Sequence, residues 1–397
     1  MCLANVIFPT SSTGIKTVMK QKIYADNAAT TQLDSDAYKA MSEILQNEYS
    51  NPSQPYSFSR TAKNLIAQAR ETIAECINAS PDEIYFTSGG TESDNWALEG
   101  TAFNNQGKAI ITSQIEHHAV LRTCEFLEKQ KFPAIYLPVT SNGTVLPETL
   151  CAQIFDTTSL VSVMLANNEI GTIQPIKELV EIAHSHGALF HTDAVQAVGH
   201  IYIDAKELGI DMLSASAHKF NGPKGIGFLY IKQGTNILPY MHGGAQEKGL
   251  RSGTENVAAI VGMSIALKNN IMNKRSNSRH LQKIETIFFE KLKQNGFVEG
   301  QDYIINGHKV NKLPGLISLS FNGADGEMLM HRLDLMGVTI STGAACDSVN
   351  TQVSHVLKAI GIKDVFAKGT IRLSFGKDSY LNDAAYIADC LRKVIKG

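Results

Sequence analysis

Short apolar segments alternate with amphipathic helical segments through the first half of this chain and beyond. In the helical segments apolar residues recur about every four positions, as they do from Leu65 to Ile77, and this spacing is typical of one helix face. The strand candidates are almost continuously apolar, and they are segments 84–87, 109–112, 160–165, 188–191 and 226–231. Apolar strands that alternate with helices predict an α/β fold whose mostly parallel sheet is covered on both faces.

The pattern changes near Asn256. Long helical segments continue to about Asn295, and strands are predicted near 316–321 and 370–375 before a closing helix over 383–395. This arrangement predicts a second, smaller α+β domain. Ligands of parallel α/β sheets bind beyond the C-terminal ends of the strands, so polar residues that follow the strands are the candidates for a functional site.

The composition excludes several functional classes. The 397 residues carry a formal net charge of −2, which argues against general binding of nucleic acid or of anionic membranes. No apolar run approaches the length of a membrane span, and no secretory signal is recognisable. The six cysteines are scattered without metal-ligand spacing, so we expect no disulfide framework, no metal site and a reducing cytoplasmic location.

Segment 214–225 places Lys219 after a serine and a histidine and before glycines and a proline. A lysine in that setting can form a Schiff base with an aldehyde cofactor, while Ser216 and His218 can hold a phosphate group. This is the chemistry of pyridoxal phosphate. Most lysines are solvated surface charges, but small neighbouring residues, in place of a polar helix face, favour a functional Lys219.

Two other strand ends carry groups that this cofactor needs. Gly90 and Thr91 follow a predicted strand and open a helix, whose N-terminal N–H groups favour an anion. A plain glycine turn with a threonine cap is the alternative. Asp193 follows another strand and could keep a pyridine nitrogen protonated, although the role of a helix cap fits it about equally well.

His117 and His118 lie between a predicted strand and a helix. An imidazole there can stack on a flat ring and transfer protons. A lone histidine is more often structural, and the adjacent pair leaves the choice of residue open. Asn168 also follows a strand, and its amide could donate to a phenolate oxygen, although a simple turn explains this motif as well.

Cys346 lies in a run of small residues over 339–348, which indicates an accessible loop rather than a packed core. A reactive cysteine must spend time as the thiolate. Arg372 interrupts an apolar predicted strand, which predicts a partner for its charge. A guanidinium group can hold the carboxylate of an amino-acid substrate with two parallel hydrogen bonds.

Together these segments resemble one family, the cysteine desulfurases of the NifS/IscS type in the class V aminotransferase group of fold-type I pyridoxal phosphate enzymes. The resemblance extends from about Tyr24 to Leu391 and includes the cysteine loop. Its other motifs occur in one order along the chain: Tyr-Ala-Asp-Asn-Ala-Ala-Thr-Thr (24–31), Thr-Ser-Gly-Gly-Thr-Glu-Ser (87–93), Glu-His-His-Ala-Val (116–120), Asn-Asn-Glu-Ile-Gly (167–171), Asp-Ala-Val-Gln (193–196), Ser-Ala-His-Lys (216–219), Met-His-Gly-Gly (241–244) and Arg-Ser-Gly-Thr (251–254).

The resemblance implies how pyridoxal phosphate would be held. Lys219 would bind it covalently, and Asp193 would pair with its ring nitrogen. His117, the first histidine of the pair, would stack on the ring and take part in catalysis, while Gln196 and Asn168 would contact the ring oxygen. The residues implied to hold the phosphate are Gly90, Thr91, Ser216, His218 and, from the neighbouring subunit, Thr254.

The resemblance also implies the reaction. Arg372 and Asn168 would bind L-cysteine, and Cys346 would accept its sulfur as a persulfide, leaving L-alanine. An acceptor such as an iron–sulfur scaffold protein would then take the sulfur, and the enzyme would be a homodimer with shared sites. Segment 341–346 is similar to the family branch with a long mobile loop. Asp347 departs from the pattern and would raise the pKa of the neighbouring thiol.

The family fold implies a seven-stranded sheet in a large domain over 29–273. A small domain would combine 22–28 with 274–397, and 1–21 would form a flexible extension. Selenocysteine lyase or another class V aminotransferase activity stays an alternative, as does a catalytically silent docking partner in sulfur assembly. The Cys346 loop argues against ordinary transamination, and the combination of Lys219 with Asp193 argues against a silent protein.

Overall fold

A computed structural model of the chain describes residues 22–342 and 353–397. The expected extension over 1–21 and the predicted nucleophile Cys346 lie outside the described residues. The strands are β1 Ile23–Tyr24, β2 Ile84–Thr87, β3 Ala109–Ser113, β4 Ala134–Leu137, β5 Thr158–Ser162, β6 Leu189–Asp193, β7 Met212–Ser216, β8 Gly227–Ile231, β9 Tyr303–Ile305, β10 Leu316–Phe321, β11 Val338–Thr339 and β12 Thr370–Ser374. The α-helices are α1 Ser35–Asn47, α2 Arg60–Cys76, α3 Gly90–Asn104, α4 His118–Lys129, α5 Pro147–Cys151, α6 Ile176–Ser185, α7 Ala205–Leu208, α8 Val257–Gln294, α9 Gly326–Leu335, α10 His355–Ala359, α11 Asp364–Ala367 and α12 Leu381–Ile395.

Seven strands form the main sheet in the order β2-β8-β7-β6-β5-β3-β4. The five strands from β7 to β4 are parallel, and only β8 runs against its neighbours β2 and β7. The predicted α/β class and the mostly parallel seven-stranded sheet are therefore confirmed. Residues on both faces of the central strands are buried, as their continuous apolar character predicts.

Two sequence expectations need adjustment. Strand β5 covers Thr158–Ser162 instead of 160–165. The N–H of Met164 donates to the carboxylate of Glu116 at 3.0 and 3.1 Å, so this amide does not extend the ladder with β3. The long helical segments after Asn256 form one helix of 38 residues, which begins after an Asn256 side-chain cap.

A second unit packs around a three-stranded antiparallel sheet of order β12-β10-β9. Strand β1 pairs in parallel with β11 beside it. The first half of α8 packs in the core of the main sheet, and its second half, from Leu281 to Leu292, packs in the core of the second unit. Two cores joined by one helix agree with a large and a small domain, while the domain boundaries given above stay a prediction.

The topology brings the C-terminal ends of β2, β3, β5, β6 and β7 to one edge of the main sheet. The polar segments singled out in the sequence begin at these strand ends, so the fold collects them at one place. Among the described helices, none combines the length and the apolar character needed to cross a bilayer.

Candidate active site

A cavity of about 580 Å³ opens at the C-terminal edge of the main sheet. Ten of the twelve predicted site residues line it: Gly90, Thr91, His117, Asn168, Asp193, Gln196, Ser216, His218, Lys219 and Arg372. Thr254 is exposed on the described surface and does not line the cavity. Cys346 lies outside the described residues. The fold therefore brings together segments that are separated by up to 282 positions in sequence, from Gly90 to Arg372.

Lys219 ends a single 3-10 turn that directly follows β7. Its Nζ donates to the backbone oxygens of Ala28 at 2.5 Å and Ala29 at 2.9 Å. Its own backbone oxygen contacts Nε2 of His200 at 2.8 Å. Two neutral carbonyls and a partly buried setting fix the amine inside the cavity, where a carbonyl-containing ligand could meet it.

Asp193 ends β6 and is buried, with its Oδ1 accepting a hydrogen bond from the Val195 N–H at 2.9 Å. Burial raises the pKa of Asp193, while the charges of His117 and Lys219 and the hydrogen bond from Val195 lower it. Burial has the largest effect, so the pKa of Asp193 is raised overall. The Lys219 amine and the Val195 N–H oppose this rise, and they favour the carboxylate form that a protonated ring nitrogen needs.

Helix α3 begins at Gly90 beside Ser216. A Cβ atom on Gly90 would lie 2.5 Å from Cγ2 of Val195, so a larger residue would displace its neighbour. The first N–H groups of this 15-residue helix have no intrahelical acceptor, which suits a phosphate group. The Nδ1 of His218 contacts the Thr30 hydroxyl at 3.2 Å.

The structure distinguishes the two adjacent histidines. His117 lines the cavity and caps α4, with its Nδ1 accepting a hydrogen bond from the Ala119 N–H at 3.1 Å. Burial lowers the pKa of His117, the Asp193 carboxylate raises it, and Lys219 and His118 lower it. The His118 ring instead lies 4.9 Å from the ring of His355. The first residue of the pair is therefore the one whose side chain lines the cavity.

Arg372 lies in the middle of β12 and is only 4% exposed. Its guanidinium donates to Asp26 Oδ1 at 2.7 Å and to the backbone oxygen of Asn168 at 2.8 Å. Its Nε is buried and has no hydrogen-bond partner within the described part of the chain. The partner that the sequence predicted is thus Asp26.

These residues fit pyridoxal phosphate. This cofactor needs an amine for its aldehyde, an acidic partner for its ring nitrogen and a site for its phosphate. The cavity offers Lys219, Asp193 and the N-terminus of α3 for these three needs. The fit rests in particular on Gly90, because a side chain there would collide with Val195, which lines the same cavity.

Several residues of the cavity were not recognised from the sequence. Glu92 forms an ion pair with Arg251, with an Nε–Oε1 distance of 2.7 Å, and also accepts from the Ser88 N–H. Asp94 and Met164 line the cavity as well. Ala28 and Ala29 belong to a segment that the family resemblance includes, which was the available signal for their place beside Lys219.

His191 lies on β6 behind the cavity and predicts a loss of stability in acid. Burial lowers its pKa to about 3 from the ordinary 6.5. Below pH 6.5 the unfolded chain therefore binds a proton at His191 that the native protein does not bind, and this group alone lowers the free energy of unfolding by about 1.4 kcal/mol per pH unit. Burial raises the pKa of Glu116 to about 8, which acts in the opposite direction. The His191 contribution is therefore measured as the difference in slope between wild type and His191→Asn, by urea unfolding of cofactor-free protein at pH 7.5, 6.5 and 5.5. We expect His191→Asn to be less stable at pH 7.5 but to lose less stability in acid, whereas exposed His331→Asn keeps the wild-type slope. Equal slopes for all three proteins would contradict the expectation.

Comparison with known proteins agrees with the geometry. The family model described as Aminotransferase class-V matches residues 23–386. A cysteine desulfurase IscS from Dictyoglomus turgidum is 47% identical over 380 residues, covering 95% of each chain. One from Methanosarcina thermophila is 45% identical over 94% of this chain and 92% of its own length.

Solved structures give the same result. A NifS-like protein superposes with a TM-score of 0.88 at 36% identity, covering 95% of this chain and all of its own. A NifS-like protein from Rickettsia africae superposes with a TM-score of 0.85 at 30% identity, with the same coverage. With its sheet, its cavity and its relatives in agreement, this chain belongs to the class V aminotransferases and, within them, to the cysteine desulfurases of the IscS/NifS type.

Proposed function

We propose that this protein is a pyridoxal phosphate-dependent enzyme that removes sulfur from L-cysteine and forms L-alanine. The observation that carries the proposal is the convergence of Lys219, Asp193 and Arg372 in one cavity at the sheet edge. An amine, an acid and a guanidinium in one place suit an amino-acid substrate and an aldehyde cofactor. The family to which the chain belongs supports the same reaction.

The proposed roles follow from the position of each side chain. When bound, pyridoxal phosphate supplies an electron sink that stabilises negative charge at the substrate Cα. Asp193 holds the proton on the ring nitrogen, and the guanidinium of Arg372 orients the substrate carboxylate. The Lys219 amine takes the proton from the substrate Cα and returns protons to the product. The Nδ1 of His117 accepts a hydrogen bond from the Ala119 N–H, so Nε2 is the ring nitrogen proposed to transfer protons.

Cys346 is proposed as the sulfur acceptor. Its thiolate attacks the substrate sulfur, so that a bond between the two sulfur atoms forms and the Cβ–S bond of the substrate breaks. The electron pair of the broken bond stays with carbon, which is protonated to give L-alanine. The described residues on both sides support this role: Ser341 pairs with the backbone of Arg372, and the Ser354 hydroxyl donates to Glu169 at 2.6 Å. The chain thus enters and leaves the segment of Cys346 beside the cavity.

A homodimer is part of the proposal. Thr254 lies on the surface near Glu255, whose buried Oε2 has no hydrogen-bond partner among the described residues. An exposed hydroxyl that the family resemblance assigns to a phosphate site is explained if a second copy supplies that site. The remaining parts of the proposal are a cytoplasmic location and transfer of the persulfide sulfur to an acceptor protein, with an iron–sulfur scaffold as the first candidate.

The function is tested by supplying purified protein with pyridoxal phosphate, L-cysteine and a thiol reductant. We expect stoichiometric L-alanine and sulfide, and a visible absorption band from the bound cofactor before substrate is added. Alanine formation that depends on a keto acid would instead indicate a transaminase, and a faster reaction with selenocysteine would indicate a lyase. Protein that shows no cofactor band would be a docking partner rather than an enzyme.

Substrate binding by Arg372 predicts a selective kinetic defect. Arg372→Lys keeps a positive charge beside Asp26 but loses the planar pair of donors. We expect KM for L-cysteine to rise about 10- to 100-fold, the range that follows from losing one or two charge-assisted hydrogen bonds. The visible band of the cofactor is expected to stay, which separates a substrate effect from a cofactor effect. An unchanged KM would remove Arg372 from the substrate site.

A further inference from the structure

A chain of buried polar side chains lies behind the cavity and has no part in the roles proposed so far. The Nδ1 of His191 contacts the Ser162 hydroxyl at 2.8 Å, and its Nε2 contacts the Ser214 hydroxyl at 2.9 Å. Ser214 in turn hydrogen-bonds Asp94, whose Oδ1 lies 3.7 Å from His191 Nε2. All four side chains are buried, so they form one polar network inside the sheet.

Asp94 is the end of this network that reaches the cavity. It lies in α3 and lines the cavity although it is only 1% exposed. Its Oδ1 has no hydrogen-bond partner in the part of the chain that the structure describes. One carboxylate oxygen each of Asp94 and Asp193 and one ring nitrogen of His117 lie within 4.8 Å of one another. A second buried carboxyl group therefore sits beside the acid proposed to face the ring nitrogen.

Two buried carboxyl groups this close cannot both be ionised without a large cost. Their surroundings decide which one keeps a proton. Burial and the charges of Asp193 and Glu116 raise the pKa of Asp94 well above its ordinary range, and only the hydrogen bond from Ser214 opposes them. Burial raises the pKa of Asp193 as well, but His117, the Val195 N–H and Lys219 face this carboxyl group and oppose the rise. The charge therefore belongs on Asp193 and the proton on Asp94.

We propose that Asp94 is a positioning residue: it stays an uncharged carboxylic acid, and its proton is directed to Asp193, holding Asp193 as the carboxylate that meets the cofactor ring nitrogen. The network of Ser214, His191 and Ser162 fixes the orientation of the Asp94 carboxyl group. This inference rests on the proposed function for its purpose, but the protonation of Asp94 can be measured without substrate or cofactor.

The groups that determine this arrangement come from every element around Asp94. Strand β6 contributes Asp193 and His191, the segment before α4 contributes Glu116 and His117, and the turn after β7 contributes Lys219. His118 acts on His117 from the start of α4. Each Asp94 variant is therefore made in a protein in which Asp193 and these neighbours are unchanged, and it is compared with wild type.

The first measurement uses the cofactor-loaded protein and follows the visible absorption of the cofactor on acidification. The half-loss pH is the pH at which half of this absorption has disappeared. Asp94→Asn keeps a neutral hydrogen-bond donor, so we expect its half-loss pH to stay within about 0.3 unit of wild type. Asp94→Leu removes the donor, so protonation of Asp193 becomes easier and we expect the half-loss pH to rise by about one unit. The same pair of changes at the exposed Asp156 serves as the matched control and is expected to move nothing.

The second measurement uses cofactor-free protein and follows the His117 ring by NMR of labelled histidine, assigned with His117→Gln. If Asp94 is neutral, Asp94→Asn leaves the His117 titration within about 0.3 unit of wild type. If Asp94 is an anion, its removal lowers that titration by about one unit, which would overturn the proposal. This result stands even if the leucine variant does not fold.

Two further outcomes would also overturn the proposal. Leucine and asparagine variants that both keep the wild-type half-loss pH would show that Asp94 only fills space, even if their melting temperatures differ. An asparagine variant whose half-loss pH rises as far as that of the leucine variant would show that a hydrogen bond donated by residue 94 is not what holds Asp193 as the carboxylate. Failure of the proposed function is a separate result, because it would appear as absent alanine formation in wild-type protein.

Discussion

Lys219→Ala is expected to abolish both alanine formation from L-cysteine and the visible absorption band of bound cofactor. In the structure the Lys219 amine lies inside the cavity, held by the carbonyls of Ala28 and Ala29. Removal takes away both the covalent attachment and the general base, and the loss of proton transfer alone costs about 10² to 10⁴ in rate. Activity is measured as released alanine, and the band by absorbance.

Two controls separate the amine from its charge. Lys219→Arg keeps a cation but cannot attach the cofactor aldehyde, so we expect it to lack the band as well. Lys206→Ala changes an exposed lysine of α7 and is expected to behave as wild type. Full activity of the Lys219→Ala protein would mean that another amine does this chemistry, and the proposed function of the cavity would have to be abandoned.

Cys346→Ala is expected to keep the cofactor band and to stop sulfur transfer. The thiol is the only group in the proposed reaction that accepts the substrate sulfur, so alanine formation should fall by at least about 100-fold, as for the loss of a catalytic nucleophile. Mass spectrometry of wild-type protein after exposure to L-cysteine should show one added sulfur atom on the peptide that contains Cys346. That addition should be absent from the variant.

Chain connectivity makes this prediction specific. Cys346 comes five positions after Ser341, whose backbone pairs with that of Arg372, a residue of the cavity. Cys151→Ala, which changes an exposed cysteine at the end of α5, serves as the control and should keep both activity and added sulfur at Cys346. Alanine release at the wild-type rate from Cys346→Ala would show that the sulfur leaves by another route.

The location of the site at one edge of the sheet could be predicted from the sequence, because polar motifs follow the predicted strands. Gly90, Asp193 and Lys219 each follow a short apolar strand, and parallel strands bring such ends together whatever the details of packing. The partner of Arg372 could be expected but not named, since Asp26 lies 346 positions away and only the tertiary fold makes the contact.

The local residue pattern does not decide between His117 and His118, whereas the family resemblance selects His117. Adjacent residues at a helix start point in different directions, and the cap formed by His117 with Ala119 determines which ring enters the cavity. Asp94 was missed for a similar reason. It lies inside a helix that is buried around most of its surface, so no amphipathic pattern distinguished its face.

In the proposed reaction, substrate binding would depend on both of the units that helix α8 connects. One half of this helix is embedded with the sheet that carries Lys219, and the other half with the strand that carries Arg372. In the proposed reaction, Arg372 of the second unit would hold the substrate carboxylate while Lys219 of the main-sheet unit would act at Cα, so the substrate would contact both units. Because α8 contributes to both cores, one continuous helix joins the two groups on which the proposed reaction depends.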